Sequence, residues 1–174
     1  MQEIEPVVQR KARRRHQGSM QPRCSGPLIA KVSIADSGHH GSFWEGGWVD
    51  SLTSGSPRPN LLVSCHGIGV EPILARLVAR CRPPCERYQP RGRLHLPAHR
   101  LETLLICDVA ALTLRQQIDL YDWIVARSRE TQVISITSSP LVELVENGRF
   151  LEGLFHRLSV VHLLASREHA GALR

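Results

Sequence analysis

Aromatic side chains are scarce, at 5% of the 174 residues. That leaves too few stacking platforms for a single-stranded nucleic-acid binder, which needs a row of them. No apolar run in the chain approaches the ~18–20 residues that span a bilayer. The opening Met1-Gln2-Glu3-Ile4-Glu5-Pro6 is acidic and has no apolar stretch, so it does not read as a secretory signal. A soluble cytoplasmic protein with no membrane partner is expected. The five cysteines (Cys24, Cys65, Cys81, Cys85, Cys107) are an odd number, and two lie in or beside apolar runs. That pattern suits free thiols in a reducing compartment better than a disulfide framework.

What is present points to one globular domain. The hydrophobic fraction of 42% can supply a core, and 22% charged residues with 13 Gly and 11 Pro is ordinary usage. The net charge of +6 is spread evenly: residues 1–60 hold eight Lys/Arg against five Asp/Glu, and the rest fourteen against eleven, +3 in each part. One dense basic cluster, Arg10, Lys11, Arg13, Arg14 and Arg15, predicts at most weak contact with nucleic-acid phosphates.

The chain divides near residue 60. Residues 1–59 show no sustained period and carry Gly, Ser and Pro punctuation, such as Ser54-Gly55-Ser56-Pro57-Arg58-Pro59. They read as an irregular, basic N-terminal segment with one short alternating run, Leu28–Ile34, that predicts a strand. Residues 60–166 read as a domain, and 167–174 as a tail.

Within 60–166 strand and helix signals alternate. Leu61-Leu62-Val63 predicts a buried strand closed by the turn His66-Gly67-Ile68-Gly69. Pro72 suits the first turn of a helix whose face is Ile73, Leu74, Leu77 and Val78. Residues 83–100, with four prolines, predict a loop. Leu104–Cys107 predicts a second strand, ending at Asp108. Thr113 and Gln116 form a capping box, opening a helix with the stripe Leu114, Ile118, Tyr121, Val125. Val133–Thr137 predicts a β-branched strand, 141–146 a helix ending near Gly148, about 151–158 another helix, and 160–164 a last strand. This order means α/β with a mostly parallel sheet, whose ligand sites gather at the carboxyl ends of its strands. Those ends carry the 64–71 turn, Asp108, and Thr137-Ser138-Ser139.

These residues resemble a family. The run Leu141-Val-Glu-Leu-Val-Glu-Asn-Gly-Arg-Phe-Leu-Glu-Gly-Leu-Phe-His-Arg-Leu-Ser-Val-Val-His-Leu163 is similar to a segment of the central AAA+ domain of the sigma-54-dependent transcriptional activators (enhancer-binding proteins). That family has Gly-(Lys/Arg)-Phe-Arg-Glu-Asp-Leu-(Phe/Tyr)-(His/Tyr)-Arg-Leu-Asn-Val there. Thr103-Leu-Leu-Ile-Cys-Asp-Val-Ala-Ala-Leu112 looks like its Walker B strand, and Ser64-Cys-His-Gly-Ile-Gly-Val-Glu71 like its Walker A turn. The resemblance, over about 60–164, implies a P-loop-type sheet with flanking helices. It also implies nucleotide-site positions at His66, Gly67, Ile68, Gly69, Val70, Glu71 and Asp108, a sensor position at Ser138 and an arginine-finger position at Arg157.

The departures set the expected function. Val70 stands where the family has its P-loop lysine, a point charge on the β- and γ-phosphates. Cys107-Asp108 stands where it has Asp-Glu, so a thiol, a poor ligand for a hard cation, replaces the magnesium-side carboxylate. Val70 and Cys107 are only 37 positions apart, and the family's Gly-Ala-Phe-Thr-Gly-Ala loop has no counterpart between them. No helical lid or helix-turn-helix is read after the domain. The resemblance with these losses implies a protein of bacterial transcription regulation that does not hydrolyse ATP. It would have no catalytic residues, no metal and no required cofactor. It would act by associating with itself or with an intact activator through Gly148–Leu163, with Phe150, Leu154, Phe155 and Arg157 as anchors. Three alternatives stand beside this reading. One is weak ATP binding without turnover. Another is a small zinc and nucleic-acid binder using Cys81, Cys85, His95 and His99, a Cys-x3-Cys and His-x3-His set with a short central spacing. The last is a remnant with no activity.

Overall fold

The computed structural model describes residues 28–34, 48–56, 58–67, 69–90, 93–127 and 130–167. The basic cluster at 10–15, Ile68 and the tail beyond Arg167 lie outside these residues. Among the described residues six parallel strands make one sheet: β1 (Leu28–Ile34), β2 (Leu61–His66), β3 (Cys85–Tyr88), β4 (Thr103–Cys107), β5 (Gln132–Thr137) and β6 (Val161–Arg167). Their order across the sheet is β1-β6-β2-β5-β4-β3. The helices are α1 (Trp48–Ser54), α2 (Val70–Val78), α3 (Leu114–Arg127), α4 (Leu141–Glu146) and α5 (Glu152–Leu158), with a 3-10 turn at Val109–Ala111.

Each central strand is a run of apolar and small polar residues because both of its faces are covered. Successive side chains point to opposite faces. Leu61, Val63, Cys65, Leu105, Cys107, Ile134, Ile136, Val161, Leu163 and Ala165 pack with Ile73, Leu74 and Leu77 of α2, and with Leu52 of α1. Leu62, Leu104, Ile106 and Val133 face the other way, into Leu120 and Ile124 of α3, Leu141 of α4, and Leu154 and Leu158 of α5. The result is three layers, helices on both sides of a parallel sheet.

Four local expectations are corrected. Residues 83–100 are not all loop: Cys85–Tyr88 pairs with Thr103–Ile106 of β4 as the edge strand β3. The region before residue 60 contains a helix, α1, that was not expected, while the strand expected at Leu28–Ile34 forms as β1, paired with β6. On α3 the stripe Leu114, Ile118, Val125 faces solvent at 55%, 40% and 45% exposure, while Gln117, Leu120 and Ile124 face the core. Val78 of α2 is likewise exposed, at 47%, so the core face of that helix is Ile73, Leu74 and Leu77.

The capping box forms as expected. Gln116 Oε1 accepts from the Thr113 N–H at 2.9 Å, and Thr113 Oγ1 accepts from the Gln116 N–H at 3.4 Å. Gly148 ends α4 in the left-handed region, φ 67°, which a side chain disfavours. The Arg149 and Phe150 N–H groups then return to the Leu144 carbonyl at 2.8 and 3.0 Å. Phe150 is thereby turned into the core, at 2% exposure, beside Leu154 at 0%. Neither can anchor a partner, which corrects that part of the expected association surface.

Candidate functional site

Because every strand runs the same way, all their carboxyl ends lie along one edge of the sheet. A cleft of about 350 Å³ opens there, lined by Val70, Glu71 and Leu74 from α2, Arg87, Gln89 and Pro90 from the end of β3, Cys107, Asp108 and Ala111 after β4, and Ser138 after β5. Five positions expected from three separate motifs (Val70, Glu71, Cys107, Asp108 and Ser138) thus meet at one site. Val63, Cys65, Cys107 and Ile136 are buried on neighbouring strands, and burial pushes the Cys65 thiol up to about 11.

The turn that leads into α2 keeps a loop-to-helix shape. Gly67 has φ 67°, the left-handed region, and Gly69 is the extended residue that precedes the helix, with no side-chain cap on its first N–H groups. His66, just before Gly67, is exposed at the end of β2. After β4 the backbone turns sharply. Asp108 is the one non-glycine residue with positive φ, at 54°, among the described residues. Short polar side chains tolerate that conformation, so Asp108 is held exposed at the rim; its carbonyl accepts from the Ala111 N–H at 3.0 Å, while its side chain makes no capping hydrogen bond to the turn.

The residue that sequence reading missed is Arg87. Its Nε donates to the Cys107 sulfur at 3.3 Å, and its Nη2 lies 3.7 Å from Glu71 Oε1. One guanidinium therefore links the end of β4 to the first turn of α2. Glu71 is 80% exposed at its side chain, so the ion pair itself contributes little to stability.

Two expected groups are not brought here. Arg157 lies on the exposed face of α5, where its backbone carbonyl accepts from Asn60 Nδ2 at 2.9 Å. The set Cys81, Cys85, His95 and His99 does not converge. His99 Nε2 instead meets Glu86 Oε1 at 2.9 Å, and among the described residues no three His, Cys, Asp or Glu side chains are placed to share a metal ion.

Residues 50–165 match the sigma-54 interaction domain, well over half of the chain. The chain belongs to this family. Solved structures of NtrX from Brucella abortus share its fold. The complex with ATP has a TM-score of 0.56 at 17% identity over 75% of this chain and 39% of that chain. The complex with ADP gives 0.54 at 17% identity, over 75% and 38%. This chain spans under two-fifths of the length of the NtrX chain that it matches. No curated protein sequence matches it. No helix among the described residues is long and apolar enough to cross a membrane. In this sigma-54 interaction domain the match begins within α1 and closes in β6.

Proposed function

We propose that this sigma-54 activator-like domain regulates transcription in the bacterial cytoplasm without hydrolysing ATP, through association with protein. The observation that carries the reading is the content of the cleft: Val70, Cys107 and an arginine, Arg87, engaged with Cys107 and Glu71. A magnesium–nucleotide complex held in the family's manner needs an ammonium on the phosphates and hard oxygen ligands on the metal. Val70 offers a hydrocarbon, Cys107 offers a soft sulfur, and Glu71 faces a cation of the chain itself. These residues do not fit that complex, and Asp108 alone has no polarised phosphate to act on.

A second reading, nucleotide binding without turnover, draws on the turn at Gly67 and the uncapped start of α2. Backbone N–H groups at a helix start can receive an anion without any side-chain charge. Phosphate release and thermal denaturation with ATP or ADP, with and without magnesium, separate the two. Turnover at buffer background with no thermal shift is expected. A shift without turnover selects the second reading. A magnesium-dependent rate that Asp108→Ala abolishes overturns both.

For the partner we infer a second copy or an intact activator, contacting α5. With Phe150 and Leu154 in the core, the exposed side chains of this segment are Arg149, Glu152, His156, Arg157 and Val160. Co-purification with an intact activator should fall for Arg157→Glu with Val160→Asp, both surface changes. Equal recovery of wild type and variant removes this face from the reading.

A further inference from the structure

Helix α3 is apolar on two faces. One carries Leu120 and Ile124, with Gln117, and closes the core. The other carries Leu114, Ile118 and Val125, which stand in solvent. Steps of four and seven residues keep these three on one side of the helix. Tyr121, half-buried, continues the strip toward α5. There a Cβ on Gly153 would stand 3.4 Å from the Tyr121 ring, and the exposed glycine has none to cover it. With 14 residues α3 is roughly 21 Å long, and the strip runs along most of it.

Charge is ordered along the same face. Arg115, at the amino-terminal end, meets Asp119 Oδ1 through its Nε at 3.1 Å, and its side chain is 81% exposed. Arg93 lines the same hollow as Arg115, so this end of the helix carries two guanidiniums. Asp122 lies about two turns beyond Arg115. It is exposed and meets no cation among the described residues. Arg127, further on, is turned away: it donates to the Ala98 and His99 carbonyls and lies over the Trp123 ring.

A second copy of this chain fits that order. A two-fold axis across α3 lays two copies of the helix antiparallel, with Leu114 of each against Val125 of the other and Ile118 against Tyr121. The same axis brings Arg115 of each copy beside Asp122 of the other, because a two-fold contact repeats every pairing. A parallel arrangement would set Arg115 against Arg115 and Asp122 against Asp122, which like charges oppose. We propose that this face is the interface of a symmetric, antiparallel homodimer built on α3, with Tyr121 and Gly153 at its edge. The inference rests on the reading above only in taking a copy of this chain as the partner; the surface is a different one. A single pair of helices buries an area at the small end of specific interfaces, so the dimer is weak and concentration-dependent.

Sedimentation velocity of the full chain without nucleotide, from micromolar to several hundred micromolar, reads the mass. It is expected to rise from one chain to two. Ile118→Lys, an exposed substitution, should hold it at one while circular dichroism stays that of wild type. Arg115→Asp alone and Asp122→Arg alone should each weaken the dimer about tenfold or more, since like charges then face each other. Mixing these two variants, or placing both changes in one chain, should restore it, which no loss of folding imitates. Arg157→Glu with Val160→Asp should still dimerise. A mass of one chain at every concentration overturns the proposal. So does a mass that grows past two, since a two-fold contact closes at two, and so do charge reversals that change nothing or are not rescued by mixing. If Arg157→Glu with Val160→Asp abolishes the dimer while the charge reversals are neutral, the copies meet through α5. That result overturns the α3 interface and leaves the association reading standing.

Discussion

Gln117 is 1% exposed on the core face of α3. Its amide nitrogen donates to the Leu112 and Arg149 carbonyls at 2.9 and 3.1 Å, and its oxygen accepts from the Leu151 N–H at 2.8 Å. One side chain thus ties α3 to the chain that enters α5. Gln117→Leu fills the space but leaves three backbone groups without it, and each buried group left unpaired costs roughly 1–3 kcal/mol. Urea denaturation is expected to show a loss of at least about 2 kcal/mol. This side chain also explains why the face of α3 was illegible. The helix carries apolar residues nearly all round, and its most continuous apolar stripe runs through Leu114 and Val125. Only tertiary contacts reveal that a glutamine belongs inside. His162 is a second buried polar group, with Nε2 2.8 Å from Ser64 Oγ. Burial, and then His66, hold it below its ordinary value. The unfolded chain therefore takes up a proton near pH ~6.5 that the folded chain resists, so this contribution to stability is lost as pH falls below that value. Melting measured between about pH 7.5 and pH 5.5 should show a steeper acid loss for wild type than for His162→Gln.

The elements that were easy to read share a feature: a strong local pattern with the right punctuation. The β5 strand is β-branched, and α4 stops at a glycine that needs φ 67°. The walls of the cleft at Val70 and Cys107 were legible because Val70 begins one patterned element and Cys107 ends another. The strand β3 was not, because its four residues stand among prolines and it pairs on one side only. Arg87 was lost with it, and so was the wall of the cleft that Gln89 and Pro90 complete. For α3 the consequence is measurable. Ile118→Lys and Val125→Lys, on the exposed stripe, are each expected to change stability by no more than ~0.5 kcal/mol. Leu120→Ala, from a fully buried side chain, should cost about 2–5 kcal/mol. Equal losses at the two faces would contradict the observed rotation of the helix.

Across the sheet, the two outer strands have different neighbours to protect. The strand β1 covers the outer edge of β6 over the whole register from Leu28–Val161 to Ile34–Arg167. An uncovered parallel edge is a template for another chain. A chain that starts at Trp48 should therefore self-associate more than the full chain, as light scattering would show; identical monodispersity would mean that β1 does not guard the edge. The same arrangement bears on how the protein comes off the ribosome. Among the described strands, β6, the last in sequence, is inserted between β1 and β2, the first two. Until it emerges, β1 has no partner and β2 has one bare side. The growing chain therefore carries open strand edges until β6 has been made. Its sheet closes late, through contacts far apart in sequence that form slowly. During that interval the nascent domain is most exposed to mispairing, and there chaperones would have their greatest effect on its yield.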